Sequence, residues 1–384
     1  MTSVVASRYA PSGSISGEFV GRHPLIERAN DKLVRQAKGF QEAAAKLSGE
    51  ELLEEYQREL AAAPRRPEAG KKFLVAYNSR LAAEPKPGRE GEHLCIALAR
   101  RHKDGGAPLA MPDEEGAFEA LHPLVPVRSA PPDKSLGADD PNYGLDKIDL
   151  IGRGPEDRLV VAMTRWLAPE ATRVGTGDTP LRALLLALAH AAVAEANAEA
   201  LTAELASLAS GPFAAAHPMV MLVGSPRYWE LCRKRAAQRG AVWIREMERL
   251  ARELGELGLP VHYVSFKMKE TPAWSYESGA PVLRCEPRMV DAWEASAGRV
   301  KPKAKPRARR ATQQPENEIV EADLSRPIRS YASGEHYDAG DRIQHPTLGL
   351  GVVQGLAGPH KIRVLFDDKP STLVHDRPRA GATA

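Results

Sequence analysis

Residues 147–166 read KIDLIGRGPEDRLVVAMTRW. KIDLIG at 147–152 and RLVVAMTRW at 158–166 are β-like runs, and the RGPED between them holds the Gly, Pro and Asp that favour tight turns. The pair predicts a hairpin whose second strand is mostly buried. Downstream, an Ala/Leu-rich helix is expected from about Pro180 to Leu208. Beyond it, MVMLVG at 219–224 and VHYVSFKM at 261–268 bracket a charged helix from Tyr228 to Leu257, a βαβ pattern. Upstream, the alternation from Phe118 to Val127 predicts a strand, and Gly91 to His102 has amphipathic helical spacing with Glu92 near its start. Residues 23–62 read as one or two helices, and the PKPG at 85–88 breaks the chain. The expected fold is a mixed α/β sheet with flanking helices over 90–298, preceded by a flexible leader at 1–22 and a helical layer at 23–89.

Composition sets outer limits. A chain of 384 residues exceeds the size at which one hydrophobic core keeps growing, so two domains and a linker are expected. Hydrophobic residues at 43% and charged residues at 27% are ordinary for a soluble globular protein. The formal net charge of +3 is too small to mark a nucleic-acid binder unless the basic residues cluster. Cys95, Cys232 and Cys285 match neither a disulfide framework nor a zinc spacing and read as reduced thiols. The N-terminus lacks a basic region followed by an apolar run, and the longest apolar stretch, ALLLALAHAAVA at 183–194, is shorter than a bilayer span of about 20 residues. A cytoplasmic protein without membrane contact is expected.

After Val300 the character changes. RVKPKAKPRARR at 299–310 carries seven basic residues and no acid, and acidic residues follow, so 299–330 reads as a basic then acidic flexible linker. Lys301, Lys303, Lys305, Arg307, Arg309 and Arg310 are the candidate contacts to a DNA or RNA backbone, through sequence-independent counterion release. Between 331 and 378, short β-runs alternate with Gly, Pro and Asp turns, the pattern of a small all-β barrel, and 379–384 form a tail. Gly349 and Gly351 permit a bend, Ile362, Val364 and Phe366 alternate inward, and Leu373 and Val374 close the sheet. An aromatic cage for methylated lysine is not expected, because Tyr337 and Phe366 are the only aromatic rings between 337 and 378.

The order helix, strand, hairpin, helix, strand, helix, strand over about 90–270 resembles the PD-(D/E)XK, or restriction-endonuclease-like, superfamily. That resemblance implies a site in which an aspartate on one strand and a Glu-x-Lys on the next hold magnesium and position an attacking water. Asp149 falls at the aspartate position. The Glu-x-Lys falls on Met163, Thr164 and Arg165, and a Gln-x-x-x-Tyr found in many relatives falls on Leu186 and His190. A thioether is a poor ligand for a hard dication, and arginine cannot accept a proton. The resemblance therefore implies a degenerate site with no metal and no cofactor, and with Asp149 as its remnant. Magnesium enters only if Glu92, Glu170 or Asp178 has taken over as a relocated carboxylate. By default His190 is a satisfied core histidine and Glu92 a helix-start charge; the resemblance also implies a face on which Arg165 and Trp166 contact a phosphate and a base, with core packing the favoured role of the tryptophan.

The C-terminal segment resembles the SH3/Tudor-like barrels of bacterial superfamily 1 helicases and of RNA-polymerase-interacting regulators. The shared pattern falls on Gly340, Asp341, His345, Pro346, Gly349, Gly351, Val353, Lys361, Val364 and Phe366. It implies a protein partner, such as transcription or repair machinery, or nucleic acid. Three classes of function follow: a non-catalytic nucleic-acid-associated adaptor, an active metal-dependent nuclease with relocated carboxylates, and a pure protein-interaction scaffold. Only the first uses the broken motif, the basic run and the barrel together.

Overall fold

The computed structural model describes residues 22–112, 116–234, 242–270, 272–276, 279–296, 319–367 and 369–376. The chain divides into two units, Met1–Val300 and Lys301–Ala384. The larger begins with helices α1 (Pro24–Asn30), α2 (Lys32–Arg35), α3 (Phe40–Lys46) and α4 (Gly49–Ala62). These are more than the one or two helices expected, and capping explains the extra breaks. Asp31 is non-helical and its side chain accepts from Leu33 N, ending α1 and starting α2, while Ser48 accepts from Glu51 N to start α4. Glu59 of α4 is fully buried, and its carboxylate accepts from the N–H groups of Leu25 and Ile26 at 3.0 and 3.3 Å and meets His23 Nδ1 at 2.7 Å. An acid borrowed from another helix thus serves the free N–H groups at the start of α1. Arg28 of α1 reaches back to Glu51 and Glu55 of α4.

A short α5 (Ser79–Ala82) precedes α6 (Glu90–Lys103), whose buried Leu94, Cys95, Leu98 and Ala99 cover one face of the sheet. The strands are β1 (Leu109–Ala110), β2 (Ala117–Pro126), β3 (Lys147–Arg153) and β4 (Leu159–Arg165). Helices α7 (Pro180–Ala196) and α8 (Ala198–Leu205) follow, then β5 (Met219–Gly224), α9 (Pro226–Lys234), α10 (Val242–Glu256) and β6 (Val261–Lys267). A two-stranded pair, β7 (Trp274–Ser275) with β8 (Val282–Leu283), leads to β9 (Arg288–Asp291) and α11 (Ala292–Ser296).

The main sheet runs β1-β2-β3-β4-β5-β6-β9. Strands β2, β3 and β4 form an antiparallel meander, β4, β5 and β6 are parallel, and β9 returns antiparallel. The hairpin expected from 147–166 is present, as is the βαβ pattern. The expected helix over Tyr228–Leu257 is described as α9 and α10, on either side of 235–241, which lie outside the described residues. Alternate side chains of β4 serve two cores: Val161 and Met163 pack with Leu184 and Leu188 of α7, Val160 and Ala162 with Leu94 and Leu98 of α6.

Thr179 caps α7 and Pro180 occupies its first turn. Thirteen of its 17 residues are buried, so its all-round apolar character is that of a core helix. Among the described residues no single helix is long and apolar enough to cross a membrane. The single helix expected to Leu208 instead turns by 84° between α7 and α8. Asn197 makes the corner: its amide donates to Val193 O and Pro64 O, at 2.8 and 3.0 Å, and its oxygen accepts from Arg66 N.

The smaller unit is a five-stranded sheet in the order β10 (Arg329–Ser330), β11 (Arg342–His345), β12 (Gly349–Gly358), β13 (Lys361–Phe366) and β14 (Lys369–Val374). Tyr337, Ile343, Val353, Ile362, Val364 and Phe366 form its core. Gly349 takes φ +81° and makes the bend, but Gly351 has a different reason: it pairs with Phe366, and a Cβ there would lie 2.5 Å from that ring. Leu373 packs on the core, whereas Val374, expected to help close it, is 38% exposed. Residues 319–330, expected to be the flexible linker's acidic end, are hydrogen-bonded to the sheet. Val320 exchanges bonds with the Gln354 amide, Asp323 N donates to Gly340 O, and Arg326 reaches Asp341 at 2.8 Å.

Candidate functional site

The pairing of β3 with β4 ends at Leu150 and Ala162. One residue further, the side chain of Asp149 takes over from the backbone: its Oδ2 accepts from Thr164 N at 2.6 Å and from Thr164 Oγ1 at 2.9 Å. Burial pushes this carboxyl upward from its ordinary pKa, and the Thr164 N–H and the nearby Arg165 charge only partly oppose that. Helix α6 comes close from the other side, since a Cβ on Gly91 would lie 2.6 Å from Thr164 Oγ1. The buried thiol of Cys95 also lies within the field of Asp149, and burial, then that charge, push its pKa well up.

The two remaining positions of the expected Glu-x-Lys point elsewhere. Met163 is 6% exposed and belongs to the core beneath α7. Arg165 donates through Nε to Asp178 at 3.2 Å and through Nη1 to Thr164 O at 2.8 Å. Burial works to lower the pKa of Arg165, but Asp178, Tyr228 and Asp149 together hold it above its ordinary value. The guanidinium is therefore a fixed cation, paired with Asp178 and lying in the field of Asp149.

On α7, the part-buried Leu186 packs against the same core, and its carbonyl accepts from His190 Nδ1 at 2.7 Å. His190 Nε2 in turn accepts from Asp146 N at 3.2 Å. With one ring nitrogen donating and the other accepting, His190 is a neutral core histidine, and burial lowers its pKa. Of the relocated-carboxylate candidates, Glu92 pairs with Arg89 and Lys147 at 3.1 and 3.6 Å, and Asp178 is held by Arg165. Exposed Glu170 lines a separate cavity. Among the described residues no three His, Cys, Asp or Glu side chains converge as a metal-binding set.

Lys301, Lys303, Lys305, Arg307, Arg309 and Arg310 lie outside the described residues. In the small unit Tyr337 and Phe366 are both core residues, so neither offers an open ring face. Tyr331, six residues before Tyr337, stacks on it at 6.1 Å and lies 5.0 Å from the His345 ring, while Arg329 covers the Tyr337 face at 4.7 Å.

Sequence reasoning assigns no role to Thr164, which sits at the unspecified position of the motif. It also misses a cavity of about 910 Å³ bordered by Trp166, Ser225 and Met268, each following the carboxyl end of a parallel strand. The βαβ pattern carries the signal for it, because ligands in open α/β sheets gather at those ends. Trp166, expected as packing, does touch the α6-side core, but its ring also forms a corner with Trp274 at 6.2 Å.

No protein-family model, curated protein or solved structure matches this chain.

Proposed function

We propose that this chain is a non-catalytic, nucleic-acid-associated adaptor. In this reading its large unit is a degenerate PD-(D/E)XK-like body. The 299–310 run touches phosphate backbones, and an SH3/Tudor-like barrel recruits a further partner of the transcription or repair type. The meander β2-β3-β4, followed by a helix and a parallel β5, is the arrangement such a body requires, and it supports the reading. The observation that carries it is the use of Asp149. The one carboxylate left at a metal-binding position accepts two hydrogen bonds from Thr164, with a buried thioether and a paired arginine where Glu and Lys would stand. A hard dication would have to break those bonds, and among the described residues no three His, Cys, Asp or Glu side chains converge to hold it.

The test has two arms. The full chain, incubated with single- and double-stranded DNA or RNA and magnesium or manganese, is expected to leave all of them intact, and cleavage abolished by Asp149→Asn would overturn the non-catalytic half. In anisotropy titrations, binding is expected to be weak and sequence-tolerant. Replacing Lys301, Lys303, Lys305, Arg307, Arg309 and Arg310 by Gln should lower affinity and flatten the salt slope by about 0.9 for each duplex phosphate that is no longer neutralised. Affinity and slope that survive those changes would remove the linker from the mechanism.

A further inference from the structure

The cavity at the carboxyl ends of β4, β5 and β6 has walls and charges that suit a particular chemistry. Its size, about 910 Å³, is that of a site for a small organic molecule. Trp166, Trp274, Tyr276, Phe266 and Met268 are among the residues of its wall. The wall is held in place: Trp274 Nε1 donates to Tyr276 Oη at 2.8 Å, and Tyr276 Oη and His93 Nδ1 are 2.7 Å apart. An aromatic corner already fixed in this way loses little freedom when a ligand arrives.

The charges around it are unevenly satisfied. Each cation is engaged: Lys86 by Glu84 at 3.2 Å, Arg284 by Glu270 at 3.1 Å, and Arg227 by Glu230 and by the carbonyl of Ala171. Glu90 and Glu170 line the same cavity and form no ion pair among the described residues. Glu90 opens α6, where a negative charge suits the positive end of the helix dipole, and its charge is felt at Tyr276. An anion entering here would face unpaired carboxylates and, among the described residues, no free cation. An inorganic dication would need several converging ligands, and among the described residues no three His, Cys, Asp or Glu side chains converge here.

We propose that this cavity binds an organic ammonium cation on an apolar body, its charge held between the indole faces of Trp166 and Trp274 and the carboxylates of Glu90 and Glu170. A weakly hydrated ammonium gives up little on leaving water, is attracted to the electron-rich faces of indoles, and is opposite in sign to both acids. This site is independent of the nucleic-acid reading, because it shares no residue with the 299–310 run or with Asp149.

Three one-ring probes with a cationic, a neutral and an anionic head group separate the alternatives: benzyltrimethylammonium, benzyl alcohol and benzenesulfonate, titrated into the full chain by calorimetry. Saturable binding of the cation, several-fold tighter than of the alcohol and with no binding of the sulfonate, is expected. Glu90→Gln and Glu170→Gln should each weaken it about two- to fivefold, the range of a part-exposed ion pair. Trp166→Leu should weaken it more than Trp166→Phe, which keeps a π face. The two carboxamide changes leave the core untouched and remain readable if a tryptophan variant misfolds. Equal affinity for alcohol and cation, preference for the sulfonate, no binding of any probe, or a cation affinity unchanged in the double carboxamide variant would each overturn the proposal.

Discussion

Asp149 and Thr164 meet across the end of the β3–β4 pairing, and one carboxylate oxygen accepts both the backbone N–H and the hydroxyl of its partner. A side chain here takes the place of a backbone carbonyl. Asp149→Ala leaves a part-buried N–H without its acceptor and should destabilise the large unit by about 1–2 kcal/mol in denaturant titrations. Asp149→Asn keeps an acceptor and should cost less.

The same residue sets a pH dependence. Because burial raises the folded-state pKa of Asp149, its protonated form favours folding. Stability from this group is full below the unfolded carboxylate pKa of about 3.9 and is lost as pH rises through the raised folded value. The stability of Asp149→Asn relative to the parent should therefore increase over that interval. A flat difference between the two melts as pH changes would contradict the burial of this carboxyl.

His190 works in the opposite direction. Its folded pKa is depressed by burial, so its contribution is present above the unfolded value of about 6.5 and is lost as pH falls from there through the folded pKa. His122 is depressed for the same reason and adds to the effect. Nitrogen NMR of His190 at neutral pH should report the tautomer protonated at Nδ1, the one that donates to Leu186 O.

In the helical layer, Glu59→Ala should be the most damaging single change to a charged residue. It strips two N–H groups at the start of α1 of their acceptor and leaves His23 facing an empty site. A fall in stability of about 3–5 kcal/mol is expected, the range for removing one partner of a buried charged network, read as a lower chemical denaturation midpoint.

Gly351→Val tests the small unit separately. The added methyls would drive into the Phe366 ring, at a cost of about 1–3 kcal/mol for overpacking. Calorimetry of the full chain should register the change in the transition of the small unit and leave that of the larger unit where it was.

What can be read from the sequence depends on which force makes each element. Strands and core helices announce themselves by apolar periodicity, so the 147–166 hairpin, the βαβ unit and the inward Ile362, Val364 and Phe366 are legible. Elements made by polar side chains are not. The corner at Asn197 lies in a stretch with no Gly or Pro between Pro180 and Gly211 to announce it, and 319–330 joins the small sheet through hydrogen bonds while Ile319, Leu324 and Ile328 stay 70%, 77% and 50% exposed. At the candidate site, Asp149, Met163 and Arg165 can be named from their places along two strands. That Thr164 claims the carboxylate cannot, because it follows from how far the two strands part beyond Leu150 and Ala162.

The Asn197 corner reaches beyond helix geometry. Its amide and oxygen hold the chain at Pro64 and Arg66, α1 and α4 lie on α7, and nearly every side of α7 is apolar. Helices α1 and α4 are thus an outer wall of the core and not an appendage to it. A clone begun at α6 to isolate the sheet would strip that wall from Leu181, Leu184, Leu185 and Leu188, and the product would be sticky aggregate in place of a smaller folded domain.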